Sequence, residues 1–140
     1  MDNMNNMNKS TIEYLVAKFN RKIRLSLNRE LLKYGLNEAN FYYLFVVINN
    51  PGINQVQMIK LLDREQSIVT KQISNLVKNG WLEKRKSTID HRQTELYPTS
   101  KTLDNIDEIT EITEKVSAEV TSNLSEKESA TLQKLLQKVL

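Results

Sequence analysis

The chain has 140 residues, a length that suits one domain rather than two. It contains no cysteine, which excludes disulfides, thiolate metal sites and thiol redox sensing. Its hydrophobic content of 39% is low for a compact monomer, its formal net charge is only +3, and no run approaches the roughly 20 apolar residues needed to span a bilayer. The opening Met1-Asp2-Asn3-Met4-Asn5-Asn6-Met7-Asn8 is polar and lacks the apolar core of a secretory signal. The expectation is a soluble, cytoplasmic protein without membrane contact, with a disordered tail over residues 1–9.

From Ser10 the periodicity predicts a long helix. Leu15, Phe19, Ile23, Leu27 and Leu31 recur every four residues, flanked by Ile12, Val16 and Leu32, and Gly35 ends the segment. Asn37 is expected to cap a second helix carrying Phe41, Leu44, Phe45 and Ile48, which Asn50-Pro51-Gly52 terminates. Ile53 reads as the start of a short strand. Val56 to Leu62 and Gln66 to Val77 form two amphipathic helices joined by the charged turn Asp63-Arg64-Glu65. Asn79-Gly80 stops the second. Trp81 to Arg85 reads as a strand, Lys86 to Gln93 as a polar loop, and Thr94 to Thr99 as the returning strand.

Thr99 or Ser100 then caps another long helix with Leu103, Ile106, Ile109, Val116 and Val120 at helical spacing. Asp104, Asp107, Glu108 and Glu111 sit in its early turns, where the helix dipole favours them. After a break at Asn123 or Ser125, Ser125-Glu126-Lys127-Glu128 forms a capping box for a last helix with Leu132, Leu135, Leu136 and Val139. No repeat and no long linker divides the chain.

Helix, turn, helix and a basic hairpin is the layout of a winged helix-turn-helix. The expected fold is mainly α with a small β-hairpin wing: a winged lobe over residues 36–99, flanked by N- and C-terminal helices over residues 10–35 and 100–140. Those flanking helices carry apolar stripes that a winged helix of about 45 residues could not cover. Packing the termini together and against a second copy buries them, so a symmetric homodimer is expected; a monomeric helical bundle is the alternative.

Charge is unevenly placed. Residues 51–101 carry nine Lys/Arg against five Asp/Glu, and residues 102–140 carry four against eight. A polyanionic partner therefore belongs against the middle of the chain. In the second helix of the pair, Val69, Ile73 and Leu76 form the buried stripe. Gln66, Ser67, Thr70, Lys71 and Ser74 then face outward near its N-terminus, and these amide, hydroxyl and ammonium groups are the types that read base edges. The same set would also serve as an ordinary solvated face. The hairpin adds Lys84, Arg85, Lys86 and Arg92, with Asp90 either pairing with Arg92 or capping the loop. His91, the sole histidine, makes no zinc site without further ligands. There is no Gly-rich phosphate loop, no cysteine nucleophile and no second histidine for a relay, so no enzyme, cofactor or metal is expected.

These residues resemble the MarR family of bacterial transcription regulators. The family's most specific marker is an Asp-x-Arg in the wing, followed by a Leu-Thr that opens the next helix. Here Asp90, Arg92 and Thr99 match, as do Ser100 and Lys101, whereas Pro98 replaces the usual Leu and Thr102 stands where Gly is common. Ser67-Ile68-Val69-Thr70-Lys71, Leu76, Gly80 and Trp81 to Arg85 are similar to the family's recognition helix and first wing strand. Asp63 occupies a turn position that often holds Gly, and Asp tolerates the left-handed backbone.

The resemblance implies a homodimeric repressor on a pseudo-palindromic double-stranded DNA operator, with Arg92 in the minor groove. It also implies a small aromatic or anionic effector held between the dimerisation helices and the DNA-binding lobe, near Phe41, Tyr42, Tyr43 and Phe45. An aromatic cluster of this kind is more often core. A winged-helix protein-interaction module without DNA binding is the competing reading.

Overall fold

In a computed structural model, residues 9–140 are described; the expected disordered tail falls almost wholly outside them. Six α-helices and a small antiparallel sheet follow in the order α1 (Ile12–Leu31), a short 3-10 turn (Leu32–Tyr34), α2 (Phe41–Asn49), β1 (Ile53–Asn54), α3 (Gln55–Leu62), α4 (Gln66–Lys78), β2 (Leu82–Lys86), β3 (Thr94–Pro98), α5 (Ser100–Val120) and α6 (Glu126–Val139). The sheet order is β1-β3-β2, with Ile53 opposite Leu96, Leu82 opposite Pro98 and Lys86 opposite Thr94. This is the winged helix-turn-helix layout, with Ile53 starting the short strand β1 as the sequence predicts. Pro98 lies at the end of β3, where a missing amide costs least.

The described residues divide into two compact units. Leu31–Thr110 form one; the residues up to Glu30, with Glu111–Leu140, form the other. In the first, the core is Leu31, Leu44, Val47, Met58, Val69, Ile73, Leu76, Trp81, Leu82, Leu96 and Ile109, all at most 2% exposed. Local signals set its helix ends. Asn54 accepts from the Gln57 amide and Gln57 answers at the Asn54 amide, closing a capping box on α3. Asp63 ends α3 at φ +50°, the only described non-glycine residue with positive φ. Gly80 at φ +80° closes α4: its amide donates to Val77 O at 3.1 Å and the Trp81 amide to Leu76 O at 2.9 Å.

In the second unit, Ser26 and Arg29 of α1 bond Glu119 of α5, at 3.0 Å from the hydroxyl and 2.8 Å from the guanidinium. The two bonds hold the Glu119 carboxyl below its usual range. Lys115 pairs with Glu30 at 3.1 Å. Ser125 and Glu128 close the expected box at the start of α6, at 2.9 and 3.1 Å.

Several expectations are corrected. The first helix begins at Ile12, after Thr11 takes the Tyr14 amide, not at Ser10. Asn37 does not cap α2. Its side chain takes the Ala39 and Asn40 amides of a separate turn, and the helix begins at Phe41. The first wing strand runs one residue later, because the Trp81 amide is spent on closing α4. In α5, Leu103 is exposed and Thr102 is fully buried, because the Thr102 hydroxyl donates to the Trp81 carbonyl. Ile112, absent from the expected stripe, is buried.

Candidate nucleic-acid interface

Helix α4 is built to show one face. Val69, Ile73 and Leu76 are at most 1% exposed, at the i, i+4, i+7 spacing read from the sequence, so the remaining positions turn outward. Gln66, Ser67, Thr70, Lys71 and Ser74 are all exposed. The first four line one shallow, open depression at the helix start; Ser74 lies further along the same helix. Glu65 precedes the helix in extended conformation and makes no side-chain cap, which leaves the first-turn amides facing outward. Gln55, at the start of α3, donates from Nε2 to Thr70 Oγ1, so Thr70 keeps its own hydrogen to offer. Sequence reasoning missed Gln55, because the pair spans the turn and no periodicity signals it.

On the wing, strand alternation separates the cations. Lys84 and Lys86 are exposed on the same face as Leu82, and Arg85 points to the other face beside Glu83. Arg85 is braced there. Its Nε and Nη2 donate to the two Glu83 oxygens, each at 3.2 Å, and its guanidinium lies 4.2 Å from the Tyr97 ring centroid. Tyr97 in turn donates to Glu95 at 2.6 Å. The Arg85 bonds hold the Glu83 carboxyl below its usual range, and the Glu95 bond raises the Tyr97 phenol. Three of the five guanidinium N–H groups stay unused, and the Arg85 side chain is 54% exposed.

The wing loop is braced from within. The buried Ser87 accepts from the Ile89 and Asp90 amides, each at 3.2 Å, and its own amide donates to Gln93 O at 3.0 Å. Asp90 Oδ1 accepts from the Arg92 amide at 3.0 Å, so of the two roles open to it Asp90 takes that of loop cap. Among the described residues no hydrogen bond or ion pair holds the Arg92 guanidinium, and Lys86, His91 and Arg92 are all exposed.

Thr99 and two residues of the first turn of α5 fix the wing base to the end of α4. Thr99 donates to Gly80 O at 2.6 Å, Thr102 donates to Trp81 O, and Lys101 Nζ donates to Asn79 O at 2.9 Å while lying 4.3 Å from a Trp81 ring centroid. A cation there also meets the negative end of the helix dipole. The sequence marks Thr99 as a cap, but nothing local marks Lys101 or Thr102 as partners of residues about 20 positions earlier.

The aromatic run divides. Tyr43 is core at 4% exposure, and burial raises its phenol pKa. Phe41 packs edge-on against Phe45 at 6.2 Å and against Tyr42 at 6.4 Å, with Tyr42 itself 56% exposed.

A helix pair that presents its second helix, followed by a two-stranded wing, defines a winged helix-turn-helix protein. Residues 36–94 match the model of the MarR family. The chain is 24% identical over 129 residues to the HTH-type transcriptional regulator BilQ of Clostridium symbiosum, covering 92% of this chain and 90% of that one. Among solved structures it resembles a MarR protein from Peptoclostridium difficile, with 27% identity, TM-score 0.84, and 96% and 88% of the two chains covered. A cysteine-to-serine mutant of MarR from E. coli, complexed with operator DNA, matches at 26% identity and TM-score 0.85 over 96% and 99%. A probable transcriptional regulator from Pseudomonas aeruginosa shares the fold at TM-score 0.87 with 16% identity, over 94% and 98%. Among the described residues no helix is long and apolar enough to cross a membrane.

Proposed function

We propose that this protein is a sequence-specific double-stranded DNA-binding transcription regulator, a homodimeric repressor acting at a pseudo-palindromic operator. One observation carries the reading. In a single compact unit, Gln66, Ser67, Thr70 and Lys71 line an open depression at the start of α4, and the wing carries a free Arg92. The amide, hydroxyl and ammonium groups match the donors and acceptors of base edges in a major groove, and the first-turn amides suit a backbone phosphate. Ser74 extends the reading face. Lys84 and Lys86 add phosphate contacts, Arg92 enters the narrow groove beside the helix, and Asp90 holds the loop that carries it. Arg85, braced by Glu83 and Tyr97, offers its remaining N–H groups to the backbone. The likeness to a MarR protein complexed with operator DNA supports the same reading.

A second copy completes it. In the other unit an apolar groove of about 410 Å³ is lined by Phe19, Ile23, Val116, Val120, Leu132 and Leu136, among others. Ile12, Leu15, Val16, Leu135 and Val139 are each more than half exposed. Apolar surface of this extent, at both ends of the chain, is covered by the same surface of a partner about a two-fold axis. Two copies then set their reading helices about 34–36 Å apart, one turn of duplex. The regulatory part of the proposal is a small aromatic or anionic effector against Phe41, Tyr42 and Phe45, which acts by favouring a spacing that no longer fits successive grooves.

The test is a titration of the purified chain against its own upstream DNA at several salt concentrations. Affinity should fall steeply as salt rises, with a log–log slope of about −0.9 per phosphate neutralised. A chain with no affinity for any duplex would instead be a protein-interaction module.

A further inference from the structure

At the apex of the wing stands a residue that no charge argument selects. Ile89 is 95% exposed, between Thr88 and Asp90. A single exposed aliphatic residue means little by itself. Its setting gives it meaning. The Ile89 amide is bound by Ser87 Oγ, the next amide by the same oxygen, and the Arg92 and Gln93 amides by Asp90, so the loop presents its side chains from a fixed backbone. The side chain stands on the same short loop as the free guanidinium of Arg92. The two residues are three positions apart, so a groove that admits the tip of this loop is within reach of both.

The chemistry of that groove discriminates. Its walls are deoxyribose, which an aliphatic side chain can pack against. Its floor shows only acceptors at A·T pairs, but a protruding amino donor at G·C pairs. A butyl side chain over that donor would strip its water and offer no acceptor in return, at the cost of an unsatisfied group. Arg92 responds to the width and potential of the groove through charge, whereas contact with the amino group itself falls to an apolar side chain that offers it no acceptor.

We propose that Ile89 is the residue by which the wing distinguishes A·T from G·C pairs beneath it. The proposal rests on the reading of the interface as a DNA-binding one and adds to it the sequence preference of the flanks. Recognition by α4 sets the centre of each half-site; Ile89 sets the composition beside it.

The experiment selects duplexes from a randomised library with the full-length protein and with Ile89→Ser, Ile89→Leu and Arg92→Ala. The parent protein should enrich A·T pairs flanking each half-site, and replacing them by G·C should weaken it about tenfold. Ile89→Ser should keep the half-site centres, lose most of the flank preference and retain the parent's salt slope, since no phosphate contact is lost. Ile89→Leu should restore the preference. Arg92→Ala should flatten the salt slope instead. If Ile89→Ser discriminates flanks as the parent does, the assignment of Ile89 is wrong while the interface stands. If the parent enriches no duplex, the interface reading falls and takes this proposal with it.

Discussion

Arg85 and Arg92 stand seven positions apart on one wing, and their states are opposite. Arg85 is tied to Glu83 and stacked on Tyr97, whereas the Arg92 guanidinium is unheld and only its backbone is fixed, by Asp90. A side chain already held offers only its remaining donors and a fixed reach; one presented free offers all of them. Arg92→Ala should therefore weaken duplex binding by about 1–3 kcal/mol and reduce the salt slope by about one, measured by titration at several ionic strengths. Affinity equal to the parent would remove Arg92 from the interface. The sequence places both residues in a basic hairpin but cannot rank them. The difference arises from Glu83, two positions back on the same face, and from Tyr97 on the opposite strand; the second depends on cross-strand register, which is not written in any local pattern. Gln55 against Thr70 is hidden because the pair spans the turn between two helices.

The elements whose boundaries were legible are those with local chemistry at their ends. Asp63, Gly80 and the Ser125–Glu128 box each satisfy backbone groups within a few residues, so sequence spacing suffices to find them. Asn37 shows where that logic stops: the residue type is right, but its oxygen serves a turn rather than α2. Thr102 shows a second failure. Periodicity assigns burial to apolar residues, and here a hydroxyl is buried because a carbonyl near the wing base needs a donor. Helix α4 is the element where periodicity served best. Its inward and outward sets should separate cleanly in denaturant unfolding. Ile73→Ala, at 1% exposure, should cost about 2–5 kcal/mol, and its exposed neighbour Ser74→Ala less than about 0.5 kcal/mol. Equal effects would mean that the face assignment of α4 is mistaken.

At the scale of the whole chain, the basic middle and the acidic end fall in line with the division of labour proposed: residues 51–101 for a polyanion, the terminal helices for a second copy. The apolar stripes of α1 and α6 were legible as patterns, but not which part of each stays uncovered within one chain. Leu27 is 7% exposed, whereas Leu15 on the same stripe is 51% exposed. That gradient is what a partner copy would cover. Deleting Ser125 to Leu140 should abolish the dimer in sedimentation, and a truncated chain that remains a folded dimer would place the interface elsewhere. Trp81, finally, is the chain's one tryptophan, 1% exposed and wedged among the end of α4, the wing base and Lys101. The protein thus carries a built-in optical probe at the joint between its helix and its hairpin. Any event that loosens that joint will register as a shift in indole emission, with no label attached.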